Sequence, residues 1–282
     1  MRELLGKPAG DAINESLKAD VAALKAKGVT PTIAVVRVGA REDDLSYERG
    51  IKKKFADNEC DVRIVELAAD CSQEELDSTV ASLDNDDSVH GILMFRPLPK
   101  HLTDKNIVNT ISSGKDLDCM GVQNMAKLFA GDSTGFAPCT AQAAIEILKH
   151  YNIDMKGKKV TVIGRSLVIG KPVALMLIKE NATVTVCHTK TLDLKAECLA
   201  ADIIVAAAGA AKMIKEDMVR EGQIIIDVGI NVDENGKLCG DVDFSNLCEK
   251  VEAITPVPRG VGSVTTSVLL KNTVTNAVRM CE

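Results

Sequence analysis

Residues 158–190 read KKVTVIGRSLVIGKPVALMLIKENATVTVCHTK, and this stretch decides the fold. Lys158–Ile163 is a short β-branched run behind the turn Lys156-Gly157, which predicts a buried strand. Gly164-Arg165-Ser166 and Gly170-Lys171-Pro172 follow at once. Pro172 suits the first turn of a helix, where no backbone N–H is needed. An apolar helix over Val173–Lys179 leads through Asn181-Ala182 to a second strand, Thr183–Cys187. This is a βαβ unit with a glycine-rich first turn. Such a turn lets a pyrophosphate approach the backbone and sit on the helix N-terminus. The spacing is G-x-S-x-x-x-G rather than G-x-G-x-x-G, so a tight turn without a ligand is the competing reading.

The end of the second strand adds chemistry. An NAD-specific site usually carries an acidic residue there for the ribose hydroxyls. Here the strand ends Cys187-His188-Thr189-Lys190, with no carboxylate, and Arg165 stands in the first turn. A hydroxyl with cations favours a 2′-phosphate, hence NADP as the cofactor. The alternative is that His188 and Lys190 are solvated loop residues. The expected cofactor contacts are Gly164, Arg165, Ser166, Gly170, His188 and Thr189, joined by Ala208, Gly209 and Ile230 at later strand ends.

Outward from this unit, strand–helix alternation continues on both sides. Toward the N-terminus, helices are expected over 10–28, Asp43–Asn58 (capped by Asp43 or Asp44) and Gln73–Leu83. Strands are expected over Thr32–Val38, Val62–Leu67 and Gly91–Phe95, and residues 96–136 read as irregular. Thr140–His150 is a helix leading into the dinucleotide unit. Beyond it, Ile203–Ala208, Gln223–Val228 and Val251–Ile254 are strands followed by turns, and 264–280 is a closing helix. In open α/β sheets ligands collect at such carboxyl ends. The fold class is therefore α/β, in two lobes, the second a Rossmann-like dinucleotide-binding domain. Residues 1–139 form the first lobe, 140–267 the second, and a terminal helix over 268–282 returns to the first. The cleft between lobes is the expected active site.

Composition narrows the function classes. With no Trp, two Tyr and five Phe, the core of this 282-residue chain must be aliphatic. A net charge of −6 argues against a nucleic-acid partner. No apolar run is long enough to span a membrane, and the N-terminus lacks a signal-peptide core. Nine cysteines occur singly, without C-x-x-C, which predicts reduced thiols in a cytoplasmic protein and no zinc or other metal site.

Seven stretches, in order, carry a resemblance. They are DDLSYERGIKKK (Asp43–Lys54), GILMFRPLP (Gly91–Pro99), KDLDCMGV (Lys115–Val122), Pro138-Cys139-Thr140, Gly164–Pro172, GDVDF (Gly240–Phe244) and TPVPRGVGSVTT (Thr255–Thr266). Together they resemble the methylenetetrahydrofolate dehydrogenase/methenyltetrahydrofolate cyclohydrolase family. The resemblance implies a homodimer, a folate-binding catalytic lobe and an NADP-binding lobe. It also implies hydride transfer between 5,10-methylene- and 5,10-methenyltetrahydrofolate. In the bifunctional pattern a Tyr stacks on the pterin and an Asp holds the pterin edge. Tyr47 and Asp118 match these, and Gly262 falls in the last motif. A Lys four residues after the Tyr, helped by a Gln, hydrolyses the methenyl bridge in that pattern.

Those last two positions are Ile51 and Phe95 here, both placed in the folate pocket by the resemblance. The flanking Leu is Arg96, and the glycine after the second Asp is Cys119. Apolar groups can neither transfer a proton nor orient water. Of Lys52–Lys54, only Lys54 returns to the Tyr47 helix face, about 4.5 Å beyond position 51, so it is the one candidate replacement. The simpler reading makes the three lysines a solvated cationic face. Hydride transfer survives, since its chemistry belongs to the cofactor and the protein supplies position. The expectation is an NADP-dependent dehydrogenase with cyclohydrolase activity lost or very weak, and a separate cyclohydrolase in the host. The alternatives are a fully bifunctional enzyme, another dehydrogenase on the same plan, or a non-catalytic folate- or nucleotide-binding regulator.

Overall fold

The computed structural model describes residues 1–282. In chain order the first elements are β1 (Arg2–Glu3), α1 (Gly6–Ala26), β2 (Thr32–Val38), α2 (Glu42–Ala56), β3 (Asp61–Leu67), α3 (Gln73–Asp84) and β4 (Gly91–Met94). Next come α4 (Ile107–Thr110), α5 (Val122–Ala130), α6 (Cys139–His150), β5 (Lys159–Ile163), α7 (Gly170–Lys179), β6 (Thr183–Cys187) and α8 (Leu194–Ala200). The chain closes with β7 (Ile203–Ala206), β8 (Ile224–Asp227), β9 (Asn231–Val232), β10 (Leu238–Cys239), α9 (Phe244–Leu247), β11 (Ala253–Ile254) and α10 (Thr265–Met280).

Two compact units result. One holds Ile13–Cys139 with Thr266–Glu282, the other Met1–Ala12 with Thr140–Thr265. The first twelve residues therefore do not join the first lobe, where the sequence placed them. The cause is strand pairing: β1 adds to β11 in parallel, Arg2 opposite Ala253. A two-residue strand has no periodicity to detect.

In the unit built on Ile13–Cys139, a parallel sheet of order β3-β2-β4 carries the core. β2 is buried along nearly its whole length, which is why its sequence is a continuous apolar run rather than an alternating one. α3 begins where Ser72 Oγ accepts the Glu75 N–H at 3.1 Å. α2 differs from expectation. Its N-cap is Arg41, without a side-chain cap, because Asp44 is held in a two-point pair by Arg41 instead. Residues 96–136 are not wholly irregular, for α4 and α5 lie within them. The other unit is a six-stranded parallel sheet of order β1-β11-β8-β7-β5-β6, with a small β9–β10 hairpin beside it. β5 lies between β6 and β7, so the chain reverses direction across the sheet at β5, the switch point where open α/β sheets bind ligands. No helix is long and apolar enough to cross a membrane.

Candidate functional sites in the two units

In the six-stranded unit, β5 runs into a turn that only glycine permits at two places. Gly164 has φ +126°, and a Cβ there would meet the Ala207 carbonyl oxygen at 2.2 Å. A Cβ on Gly170 would meet the Gly164 carbonyl oxygen at 2.1 Å. Ser166 closes the turn: its Oγ accepts N–H groups from Ile169 at 3.1 Å and Gly170 at 3.4 Å. α7 then starts at Gly170 without a side-chain cap. This backbone-only approach fits a pyrophosphate, which needs room near the chain and a helix dipole behind it.

The adjoining turn after β6 is tied to the first, since Gly164 N–H donates to the Cys187 carbonyl at 2.9 Å. Here His188 N–H donates to Thr191 Oγ1 at 2.9 Å, and His188 Nδ1 accepts from Lys190 N–H at 3.1 Å. His188 is thus a turn organiser, not merely a solvated residue. Arg165, Thr189 and Lys190 are exposed around it, and no carboxylate intrudes. Ala208, Gly209 and Ile230 are exposed at the ends of β7 and β8. Gly262 belongs to this unit rather than to the one with Tyr47, and Ile230 Cδ1 lies 3.7 Å from where its Cβ would stand.

In the other unit, Tyr47 of α2 stacks on Phe95, ring centroids 5.6 Å apart and planes 30° from parallel. Ile51, one turn along α2, is 0% exposed and Phe95 7% exposed, while Tyr47 keeps 37% of its surface open. Desolvation of the hydroxyl, with Cys139 and Asp118 nearby, raises the Tyr47 phenol above its ordinary value although the ring keeps an open face. Asp118 accepts the Cys139 N–H at 2.8 Å. Burial raises its carboxyl, opposed by that bond and by the Arg96 charge. Asn272 of α10 donates to the Leu117 carbonyl at 3.0 Å and so anchors this loop. Its role had no motif to mark it.

Neighbouring charges have other work. Asp116 accepts from Met120 and Gly121 N–H, each at 2.9 Å, and Lys115 Nζ caps the carbonyls of Asp84 and Asp86 at 2.7 and 2.8 Å. In Lys115-Asp116-Leu117-Asp118, then, the first two charges build the loop and only Asp118 stands beside Tyr47 and Cys139. Cys119, where the bifunctional pattern has glycine, takes φ +54°. Lys52 is not freely solvated: its ammonium pairs with buried Glu48 at 2.7 Å, and Glu48 also binds buried Arg37 at 3.0 Å. Lys54 is half-buried near the end of α2, its carbonyl accepting from Asn58, and no ion pair engages its ammonium.

A parallel sheet with a glycine-bound turn at its switch point defines the second unit as a Rossmann-like dinucleotide-binding fold. Residues 4–118 match "Tetrahydrofolate dehydrogenase/cyclohydrolase, catalytic domain" and 138–281 match its "NAD(P)-binding domain". A bifunctional protein FolD from Carboxydothermus hydrogenoformans is 53% identical over 281 residues, 99% of this chain and 96% of that protein. The bifunctional FolD enzyme of Campylobacter jejuni superposes with a TM-score of 0.96 at 41% identity, covering 99% of both chains. A Trypanosoma brucei dehydrogenase-cyclohydrolase, solved with NADP and an inhibitor, has a TM-score of 0.92 at 36% identity, covering 99% and 97%. This chain belongs to the tetrahydrofolate dehydrogenase/cyclohydrolase family.

Proposed function

We propose that the protein oxidises 5,10-methylenetetrahydrofolate to 5,10-methenyltetrahydrofolate with NADP, and that its cyclohydrolase step is lost or nearly so. The observation that carries the second half is the sealed pair Ile51 and Phe95, at the positions of the bifunctional Lys and Gln. No ammonium or amide stands there to move a proton to or from water, and two buried apolar groups keep the place dry.

Tyr47 offers a ring face to the pterin, and Asp118 accepts from its N–H donors. Ile51 and Phe95 close the floor behind Tyr47 with no open face of their own, and Gly262, in the other unit, is a further proposed substrate contact. NADP, when bound, supplies the hydride acceptor. Gly164, Ser166 and Gly170 shape the pyrophosphate turn. Arg165, His188 and Thr189 take the 2′-phosphate, and Ala208, Gly209 and Ile230 receive the other half. The domain of folate chemistry is 1–139 with the terminal helix, less the first twelve residues. The product requires a separate cyclohydrolase in the cytoplasm of the host. A homodimer is supported by the unpaired edge of β6, beside exposed Val186 and Ile178.

The second reading, full bifunctionality, is favoured by the relatives' names and would need Lys54 as the base. Paired assays on one preparation decide. Methenyltetrahydrofolate should accumulate during NADP reduction and decay no faster than in buffer; decay at a rate comparable to dehydrogenase turnover selects the bifunctional reading.

A further inference from the structure

In the six-stranded unit, two strand-end turns hang on one buried carboxylate. Asp241 is fully buried and accepts four hydrogen bonds. Its Oδ2 takes the Ala208 and Gly209 N–H groups at 2.6 and 3.0 Å. Its Oδ1 takes Ala210 N–H at 2.8 Å and Asn231 Nδ2 at 2.9 Å. That uses the acceptor capacity of an ionised carboxylate in full. The backbone behind it is itself pinned. Asp241 N–H and Gly229 N–H both donate to Asp227 Oδ1 at 3.0 Å, and Val242 N–H donates to Asp227 Oδ2 at 3.0 Å. Two glycines allow the approach. A Cβ on Gly229 would lie 2.3 Å from Asp241 Oδ1, and one on Gly240 would lie 1.8 Å from Asp227 Oδ2.

The sheet order says what these turns receive. The pyrophosphate turn follows β5, and the 2′-phosphate residues follow β6 on one side of it. The remaining half of a dinucleotide must extend to the other side, over the ends of β7 and β8. Those ends are Ala207–Ala210 and Gly229–Asn231, where Ile230 is 68% exposed. We propose that Asp241 is a positioning residue for the nicotinamide half of the cofactor, holding both turns in the conformation that receives it. Asn231 couples the second turn to the first through the same carboxylate. The inference rests on the NADP reading above.

The test is calorimetric titration of the full chain with NADP and with 2′,5′-ADP, which lacks the nicotinamide half. In Asp241→Asn, either amide orientation sets an NH2 against two donors. NADP should bind roughly 10–100-fold more weakly, with 2′,5′-ADP affinity changed less than about threefold. Equal loss of both ligands, or loss of neither, overturns the inference. If Asp241→Asn does not fold, Asn231→Ala carries the test, with an expected loss of roughly 3–10-fold for NADP and none for 2′,5′-ADP. Unchanged NADP affinity in that variant overturns it as well. Failure of the wild-type protein to bind NADP shows in the first titration and removes the cofactor reading, and the inference with it.

Discussion

Ile51→Lys combined with Phe95→Gln puts back the two polar groups of the bifunctional pattern, and the structure sets the cost. Ile51 is 0% exposed, so its replacement forfeits about 1.5–3 kcal/mol of burial. A lysine kept dry there would be neutral near pH 7. Pulling it down from about 10.4 costs up to roughly 4–5 kcal/mol at about 1.36 kcal/mol per unit, less whatever the long stem recovers by reaching water. Phe95→Gln loses the stack on Tyr47 and its own burial, about 2–4 kcal/mol. Against a typical stability of about 5–15 kcal/mol the double variant is marginal, so the assay belongs near 15 °C, about the usual stability maximum. Methenyltetrahydrofolate decay should exceed the buffer rate in the double variant and in neither single one, because the pair acts as a unit. Thermal stability of Ile51→Lys should rise with pH between about 7 and 10, where the unfolded chain binds the proton that the folded lysine has lost. A wild-type melting temperature in Ile51→Lys, with no such slope, refutes the sealed position. Hydrolysis by the wild-type protein at a rate near its dehydrogenase turnover refutes the lost step, and Lys54→Met is then the next variant.

Three other outcomes are expected. Arg165→Ala removes an exposed guanidinium that forms no ion pair within the protein, so NADP affinity should fall roughly 10–150-fold while NAD affinity barely moves; equal losses would contradict the 2′-phosphate assignment. Asp118→Ala should raise the folate KM by roughly 5–150-fold, since pterin donors lose their acceptor, and unchanged folate kinetics would take Asp118 out of the site. Burial, with Asp241 adding to it, pushes the Asp227 carboxyl up to about 7 against its three backbone N–H bonds. The folded value stands above the unfolded one, near 3.9, so the folded protein binds the extra proton and this group's stabilisation fades as pH rises from about 4 to 7. Chemical denaturation of Asp227→Asn across that range should show a less negative slope than wild type; parallel curves would mean that Asp227 is ionised throughout.

Much of the fold was legible because the determinants are local. β-branched runs such as Lys159–Ile163 and Ile203–Ala206 need both faces covered, and that requirement is written in consecutive residues. Gly164 and Gly170 mark a turn no other residue can make, and that turn is what the cofactor reading starts from. That positions 51 and 95 carry Ile and Phe is likewise a fact of the chain. Tertiary structure decided what depends on distant partners. β1 exists only because β11 offers an edge, and Met1–Ala12 follow it into the second unit. Asp44 was a plausible cap until Arg41 claimed it, and Lys52 a solvated charge until Glu48 did. Asp241 sits in a motif that identifies the family, but its task depends on N–H groups some thirty positions earlier that only the fold brings to it. Periodicity reports which face of an element is buried; it carries no record of which buried polar group meets which donor, because that pairing is set by the packing of elements far apart in the chain.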